Sequence, residues 1–535
     1  MKRLTLLFLF LITLTGGFLR LYNLSNSPPS LNWDEAALGY NAYSISETGK
    51  DEYKVAYPIF TRSFDEYKST IPVYLMIPSI KIFGLNELGV RFPSAFLGTL
   101  SIILIFYIAK YFFSNNAISL ISSLLFAIEP WVIHFSRTYH EANIALFFFL
   151  LGMLLLFHSK KKPALFALSV IPFGISMYSY NANKILVPMF VLALVLINRE
   201  ALRKYSKGAV LAAALIALAF LIPFIYLILI GQAFARIGPT NIFVLWPKEG
   251  AVFYRLFLFI WDILGRYLAY FSPPNLFLRE PSEPATIVAG NSIFYAFEFI
   301  PMFVGLLFIT KNARKYKELL ALILLAPVPA IVTWNWFQPG RVIALLAMFS
   351  ILAGLGVVKI FNHFAETFKK SIKPVITLTI LYLSFVVYCA ASALYLFDSI
   401  QVYLPIRDNG NWQPGFRETV PAVMRVLDKY QKVVIETPQA QPNIFYLFYG
   451  AYSPARYHQE LDLNKIGTPR KVYDFGKFEF RKINWEKDKD LPNTLFVGND
   501  DNLPIKEVST STEFDFVQDI WDWRGFKVAK LVGTK

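Results

Sequence analysis

Residues 70–84, Thr70-Ile71-Pro72-Val73-Tyr74-Leu75-Met76-Ile77-Pro78-Ser79-Ile80-Lys81-Ile82-Phe83-Gly84, decide the topology of the chain. The stretch is apolar, and counting it as a membrane span would invert every later loop. Its length of about fifteen residues falls short of the roughly twenty that a helix needs to cross a bilayer. It reads as a helix lying in the outer interface.

The rest of the chain explains why a membrane is at issue. Of 535 residues, 55% are hydrophobic and only 17% charged, against roughly 25% charged in soluble domains. A soluble fold cannot hide that much apolar surface, but a bilayer accepts it. The 51 Phe and 29 Tyr add to this, since Tyr suits interfaces where one end of the ring is wet. The net charge of +15 fits membrane topology better than nucleic acid, because Lys and Arg cluster in short gaps between apolar runs. The one cysteine, Cys389, sits in an apolar run, which excludes an internal disulfide and a cysteine metal site.

About eleven segments are candidates for spans: 4–22, 92–113, 117–133, 142–158, 163–178, 185–198, 208–230, 292–310, 319–334, 342–360 and 374–396. The first begins after Lys2 and Arg3 and lacks a clear small-residue cleavage site near Arg20–Asn23, so it reads as an uncleaved span. With the N-terminus inside, Lys110 with the Ser114–Asn116 turn and the basic gaps 160–162, 199–207, 311–317 and 363–373 all fall inside, as the positive-inside rule requires. Residues 23–91, 134–141, 179–184, 231–291, 335–341 and the tail from Phe397 then lie outside. Val252–Phe271 is long enough to cross but carries Arg255, Asp262 and Arg266, so it reads as interfacial.

The fold expected is a polytopic α-helical membrane protein with a C-terminal extracytoplasmic α/β domain. Residues 1–396 form the transmembrane domain, with interfacial helices in the first outer loop (23–91). Residues 397–535 form the soluble domain. Within it, 420–430 and 442–449 read as helices, and 432–436, 494–497 and 526–531 as strands.

The outer loops concentrate charge. The first carries Trp33-Asp34-Glu35, then Phe64-Asp65-Glu66-Tyr67-Lys68, and ends at Arg91. The second carries Arg137-Thr138-Tyr139-His140-Glu141, and later outer gaps add Lys184 and Arg341. Single cations at helix ends commonly snorkel. Here, however, they recur beside carboxylates in loops that positive-inside should leave poor in Lys and Arg. A carboxylate can act as general base, and cations can hold a phosphate and stabilise it as a leaving group. Tyr178, Tyr180, Asn181 and Lys184 make a polar patch at the third outer gap, and Trp334 and Trp336 stand beside Arg341. Both groups suit either an interface belt or sugar stacking. His134 and His140 read as packing or hydrogen-bonding residues rather than metal ligands.

Leu19-Arg20-Leu21-Tyr22, Trp33-Asp34-Glu35-Ala36, Tyr67-Lys68, Val90-Arg91-Phe92-Pro93-Ser94-Ala95-Phe96-Leu97-Gly98, and then Phe135-Ser136-Arg137-Thr138 with Glu141-Ala142-Asn143 follow in order. In these residues the chain resembles the GT-C fold membrane glycosyltransferases, in the branch of the protein O-mannosyltransferase-like and aminoarabinose-transferase-like enzymes. The resemblance is good over residues 15–190 and looser to about 360. It implies that Asp34 is the general base and that Glu35 supports it or positions a substrate. It implies that Arg91 and Lys68, with Arg341 by analogy, contact the phosphate of a polyprenyl-phosphate sugar. Glu141 matches a further acidic position, and Asp65, Glu66, Arg137, Tyr180 and Lys184 would bind substrate or support the site. Many relatives have Lys-Pro-Pro where this chain has Lys68-Ser69-Thr70.

The reaction implied is an inverting hexosyl or pentosyl transfer from a polyprenyl-phosphate-linked donor to an extracytoplasmic acceptor: protein, lipid or cell-wall glycan. The enzyme would sit in the cell membrane with its N-terminus cytoplasmic. No nucleic acid partner is implied, no Gly-rich phosphate loop is present, and no cofactor or metal ligand is assigned. The clustered Asp and Glu are compatible with a divalent metal, but His is scarce, with five in all. A multi-pass transporter is the alternative. It would put ionisable groups at the bilayer midplane, often with repeat symmetry, and only Glu129 and Glu298 fit that pattern.

Overall fold

The structure, a computed structural model, describes residues 2–64, 66–202, 205–231, 242–246, 249, 251–280, 288, 290–368, 374–407, 412–437, 441–462, 474–504 and 514–535. Along the chain run α1 (Lys2–Leu21), α2 (Trp33–Thr48), β1 (Phe60–Ser63), β2 (Glu66–Ser69), α3 (Ile71–Phe83) and α4 (Glu87–Phe113). Next come α5 (Asn116–Ile128), α6 (Pro130–Arg137), α7 (Glu141–Ser159), α8 (Ala164–Met177), α9 (Asn183–Ile197), α10 (Lys207–Leu229) and α11 (Val252–Ala269). They are followed by α12 (Phe299–Lys311), α13 (Ile343–Phe368), α14 (Pro374–Asp398) and α15 (Phe416–Val426). The remaining named elements are β3 (Lys432–Ile435), α16 (Asn443–Tyr449), α17 (Pro454–Glu460), β4 (Phe478–Phe480), β5 (Thr494–Gly498), β6 (Phe514–Trp521) and β7 (Lys527–Thr534).

Two compact units emerge. One comprises Met1–Tyr22 with Ser94–Tyr403, the other Asn23–Pro93 with Leu404–Lys535. The partition cuts across the sequence boundary at 396/397, because residues 23–93 pack with the C-terminal residues.

In the helical unit, six helices among the described residues are long and apolar enough to cross a membrane, or seven if α5 and α6 count as one bent span. About eleven were expected. The difference lies in short or broken apolar segments. α8, with 14 residues, α9, with 15, and α12, with 13, rise only about 20–23 Å, short of a hydrocarbon core of about 30 Å. Residues 319–334 divide into the helices Lys317–Leu325 and Val328–Ile331. The break between α5 and α6 bends the chain by 56°. Pro130 causes it, since the residue before a proline leaves the helical region, and Glu129 is extended at φ −61°, ψ 136°. Glu129 is fully buried and accepts from Trp131 Nε1 at 2.9 Å and Ser350 Oγ at 2.6 Å. Its neighbour Glu298, also fully buried, accepts from Tyr295 N at 3.2 Å. Each of these two buried acids thus has at least one hydrogen-bond donor. Helices α12 and α13 approach so closely that a Cβ on Gly356 would lie 1.8 Å from Pro301 O, the small-residue contact that membrane helix pairs use.

In the second unit the C-terminal residues build a five-stranded sheet in the order β4-β3-β5-β7-β6. β4, β3 and β5 are parallel, with Val433 opposite both Phe478 and Leu495. β7 runs antiparallel to β5, Val497 facing Leu531. The expected strands and helices are present. β4, β6 and α17 were not anticipated, because short segments carry little periodicity. α3 occupies the stretch read as a surface helix and has 13 residues. The loop and the C-terminal residues lock together at several points. Tyr40 donates to Tyr452 O at 3.1 Å, Tyr449 to Glu87 Oε1 at 2.9 Å, and His458 Nε2 to Asp51 O at 2.7 Å. Gly39 permits the approach of α2 to α16, since a Cβ there would meet the Phe448 ring at 2.6 Å.

Candidate functional site

α2 begins where Asn32 caps it. The Asn32 side chain accepts from Glu35 N at 2.8 Å, and Glu35 Oε2 accepts from Asn32 N at 3.2 Å, a reciprocal box that satisfies orphan N–H groups. The box fixes where the two adjacent acids of the Trp33-Asp34-Glu35 motif point. Glu35 turns inward, at 1% exposure. Asp34 turns outward, its side chain 47% exposed.

Glu35 meets Arg91. The guanidinium donates from Nε to Oε1 at 3.0 Å and from Nη2 to Oε2 at 3.0 Å. Nη1 donates to Leu24 O at 3.3 Å and Pro28 O at 2.8 Å, and Nη2 also to Ser30 O. The group lies over the Trp412 ring, 5.7 Å from its centroid, and Arg91 is wholly buried. Guanidinium has five N–H donors, and all five are used. Arg91, expected from the sequence to contact a donor phosphate, has its donors taken in this structure by Glu35 and three carbonyls, and it ties residues 24–35 to the start of α4. Glu35, expected to support Asp34 or position a substrate, holds Arg91 through both carboxylate oxygens.

Asp34 meets Lys68, whose ammonium donates to Asp34 Oδ1. Lys68 sits on β2, opposite Thr61 of β1, with its side chain only 4% exposed and its ammonium over the Phe64 ring, 5.7 Å from the centroid. The hairpin thus buries the aliphatic stem and presents the charge to Asp34. Asp65 lies outside the described residues, as does the side chain of Glu66.

Behind this pair lie two acids that the sequence reading passed over. Asp51 is fully buried; it accepts from Tyr53 N at 3.0 Å and Val55 N at 2.8 Å through Oδ1, and Oδ2 has no partner among the described residues. Burial raises its carboxyl to about 6. Glu52 is 4% exposed, Oε2 has no partner among the described residues, and burial followed by the Asp51 charge pushes it up to about 8, against the pull of Lys68. In sequence both belong to the charged run Lys50-Asp51-Glu52-Tyr53-Lys54, which reads as a solvated loop. Nothing local signals burial.

The helical unit holds the other candidates. Arg137 is 2% exposed and donates from Nη1 to Leu19 O at 2.9 Å and Tyr22 O at 2.8 Å. It closes the C-terminal end of α1, where carbonyls lack helical partners. Glu141 opens α7 behind the N-cap His140, whose Nδ1 accepts from Ala142 N at 3.2 Å. The His140 ring packs edge-on against Phe135 and Tyr180, at centroid separations of 4.6 and 5.9 Å. A Cβ on Gly340 would sit 3.4 Å from the same ring. His140 thereby joins the second outer gap to Tyr180 and to the Gly340-Arg341 turn. Lys184, 4% exposed, donates to Asn181 Oδ1 at 2.6 Å. Arg341 is part-buried and donates from Nη1 to Thr333 Oγ1 and to Asn335 Oδ1, the latter at 3.0 Å.

Arg266, not among the expected site residues, is 4% exposed. It donates to Asp262 Oδ2 at 2.6 Å and Trp334 O at 2.9 Å and lies over the Trp336 ring, 5.2 Å from its centroid. It fixes the segment bearing the half-exposed Trp334 and Trp336. Elsewhere in this unit an apolar cavity of about 250 Å³ runs between α7, α8, α9 and α10, lined by residues such as Phe173, Met177, Val187, Val191 and Phe220. Among the described residues no three His, Cys, Asp or Glu side chains converge as metal ligands would.

Residues 68–227 match the family model described as dolichyl-phosphate-mannose-protein mannosyltransferase. The chain is 27% identical over 215 residues to "Putative mannosyltransferase YycA" of Bacillus subtilis (strain 168), a match covering 39% of this chain and 30% of that protein. The chain thus spans about a third of the length of this relative. Among solved structures it is similar to ArnT from Cupriavidus metallidurans bound to undecaprenyl phosphate, with 13% identity, TM-score 0.58, and 99% and 97% of the two chains covered. It is also similar to the archaeal oligosaccharyltransferase AglB from Archaeoglobus fulgidus in complex with an inhibitory peptide and a dolichol-phosphate, with 14% identity, TM-score 0.52, and 82% and 62% covered. The fold is that of the GT-C membrane glycosyltransferases.

Proposed function

We propose that this GT-C-fold chain is an inverting glycosyltransferase that moves a sugar from a polyprenyl-phosphate-linked donor to an extracytoplasmic acceptor. The observation that carries the reading is Asp34: an exposed carboxylate at a capped helix start, held in place by the buried Lys68. In the proposed step the acceptor oxygen attacks the anomeric carbon and passes its proton to Asp34. The bond from that carbon to the phosphate oxygen breaks, and polyprenyl phosphate leaves. The attack comes from the face opposite the leaving group, so the anomeric centre inverts.

Arg341 and Lys184 are the cations proposed for the phosphate. Arg341 fits best, because both of its described hydrogen bonds use Nη1. Phosphate would be stabilised as charge develops on the leaving oxygen. The apolar cavity in the helical unit supports the lipid half of the reading, since it offers an aliphatic chain an environment as apolar as the bilayer. ArnT and AglB carry undecaprenyl phosphate and dolichol-phosphate respectively in the structures compared. The basic gaps support a cytoplasmic N-terminus and extracytoplasmic Asn23–Arg91 and C-terminal residues.

The test is to incubate purified protein with a panel of polyprenyl-phosphate sugars and read transfer or donor hydrolysis by mass spectrometry, alongside Asp34→Asn. Activity with at least one donor, abolished in Asp34→Asn while the protein remains folded, is expected. Full activity in that variant would remove Asp34 as base. Solute flux in sealed vesicles without any new glycoside would favour the transporter.

A further inference from the structure

The five-stranded sheet contains a feature unrelated to Asp34. Its order, β4-β3-β5-β7-β6, means that the chain leaves β3 toward one edge and leaves β5 toward the other. In open α/β sheets such a reversal opens a crevice at the carboxyl ends of the two strands, and ligands bind there. A cleft of about 160 Å³ lies at that place. Its lining includes Glu436 and Ile435 at the end of β3, Gly498, Asn499 and Asn502 at the end of β5, and Phe416 at the start of α15.

Two observations point to a ligand. Tyr446, which also lines the cleft, is 1% exposed, and its hydroxyl has no hydrogen-bond partner among the described residues. Its ring is fixed by Phe478 and Phe480, with centroids at 5.3 and 5.5 Å. A buried hydroxyl without a partner is costly, and one that a ligand completes is a common explanation. Independently, α15, with 11 residues, starts at the cleft with Gly415 as its N-cap and no side-chain cap, leaving N–H groups of its first turn for another acceptor. Gly415 has φ +108°, and a Cβ there would meet Val528 at 2.7 Å, so the close packing that shapes the cleft excludes a side chain that could cap.

The chemistry of the lining selects the ligand class. It contains no Lys or Arg and has one carboxylate, Glu436, whose Oε2 accepts from Ile483 N at 2.7 Å. A phosphate or carboxylate ligand would face that negative charge with only a helix terminus to hold it. A neutral polyol suits the set: hydroxyls donate to Glu436 and to the amide oxygens, and accept from Tyr446, Asn502 and the N–H groups of α15. A cavity of about 150 Å³ takes up a benzene-sized ring, so a cleft of this size fits one six-membered ring. We propose that this cleft binds a single neutral monosaccharide unit, as a carbohydrate-recognition site separate from Asp34.

The test uses the full-length protein in detergent, titrated with D-mannose, D-glucose, D-galactose and N-acetylglucosamine, with inorganic phosphate as the anionic comparison, and read by saturation-transfer NMR and calorimetry. Saturable binding of at least one sugar is expected. Loss of one hydrogen bond in Tyr446→Phe should weaken it about fivefold without lowering the Tm. Asn502→Ala, outside the hydrophobic core, should weaken it as well if Tyr446→Phe proves poorly folded. Asp34→Asn should bind unchanged, which separates this site from the transfer reaction. The proposal is overturned if no sugar binds saturably, if phosphate binds and displaces the sugar, or if the well-folded variants bind like the parent.

Discussion

Arg91 grips both carboxylate oxygens of Glu35 at 3.0 Å each while its other donors close on the carbonyls of Leu24, Pro28 and Ser30. Removing one partner of a buried pair strands the other charge, at a cost of about 3–5 kcal/mol. Arg91→Ala and Glu35→Ala should each lower the Tm of the purified protein strongly. Arg91→Lys should not restore it, because an ammonium cannot make the forked contact. A stable Arg91→Ala protein with a raised donor KM would return Arg91 to phosphate binding.

Lys68 pairs with Asp34, the proposed base, so its loss should displace that carboxylate and leave donor affinity intact. In Lys68→Met we expect kcat to fall about 100-fold, with donor KM nearly unchanged. The opposite split, a raised donor KM at constant kcat, would make Lys68 a phosphate ligand.

Glu52 gives the fold a pH dependence. Its ordinary value of 4.5 rises to about 8 on burial, so between those values the folded chain holds a proton that the unfolded chain has released. Stability then falls as pH rises: this contribution is complete below about pH 4.5 and is lost through about pH 8. Chemical denaturation from pH 5 to 8.5 should show the decline, and Glu52→Gln should flatten it. An unchanged slope in that variant would assign the effect to other groups.

Arg341 is the cation proposed for the phosphate, since both of its described hydrogen bonds use Nη1. Arg341→Ala should raise donor KM about tenfold, the equivalent of one charge-assisted hydrogen bond, with the Tm little changed. Steady-state kinetics with varied lipid-phosphate sugar measure this directly. An unaltered KM would point to Lys184.

The sequence by itself determined the class of fold. Apolar runs and alternating basic gaps follow from the bilayer's intolerance of charge, and that rule acts locally along the chain. It also identified α3 as too short to span, and it marked Asp34, Lys68 and Arg91 as one group, since all three do lie in the same unit. Only the tertiary structure decided what each of them does. Asp34 and Glu35 are neighbours with opposite fates because one capping box turns a carboxylate inward to Arg91 and leaves the other outside. Whether Arg91 has donors to spare depends on three backbone carbonyls from residues 24–30, and composition says nothing about where a carbonyl points. Glu52 looks solvated in sequence and is buried in the fold. The segments around it are held by residues 407 and 412 positions downstream: His458 bonds Asp51 O, and Tyr452 O accepts from Tyr40. Helix periodicity and hydropathy are properties of short windows; burial and hydrogen-bond satisfaction belong to the whole assembly of segments.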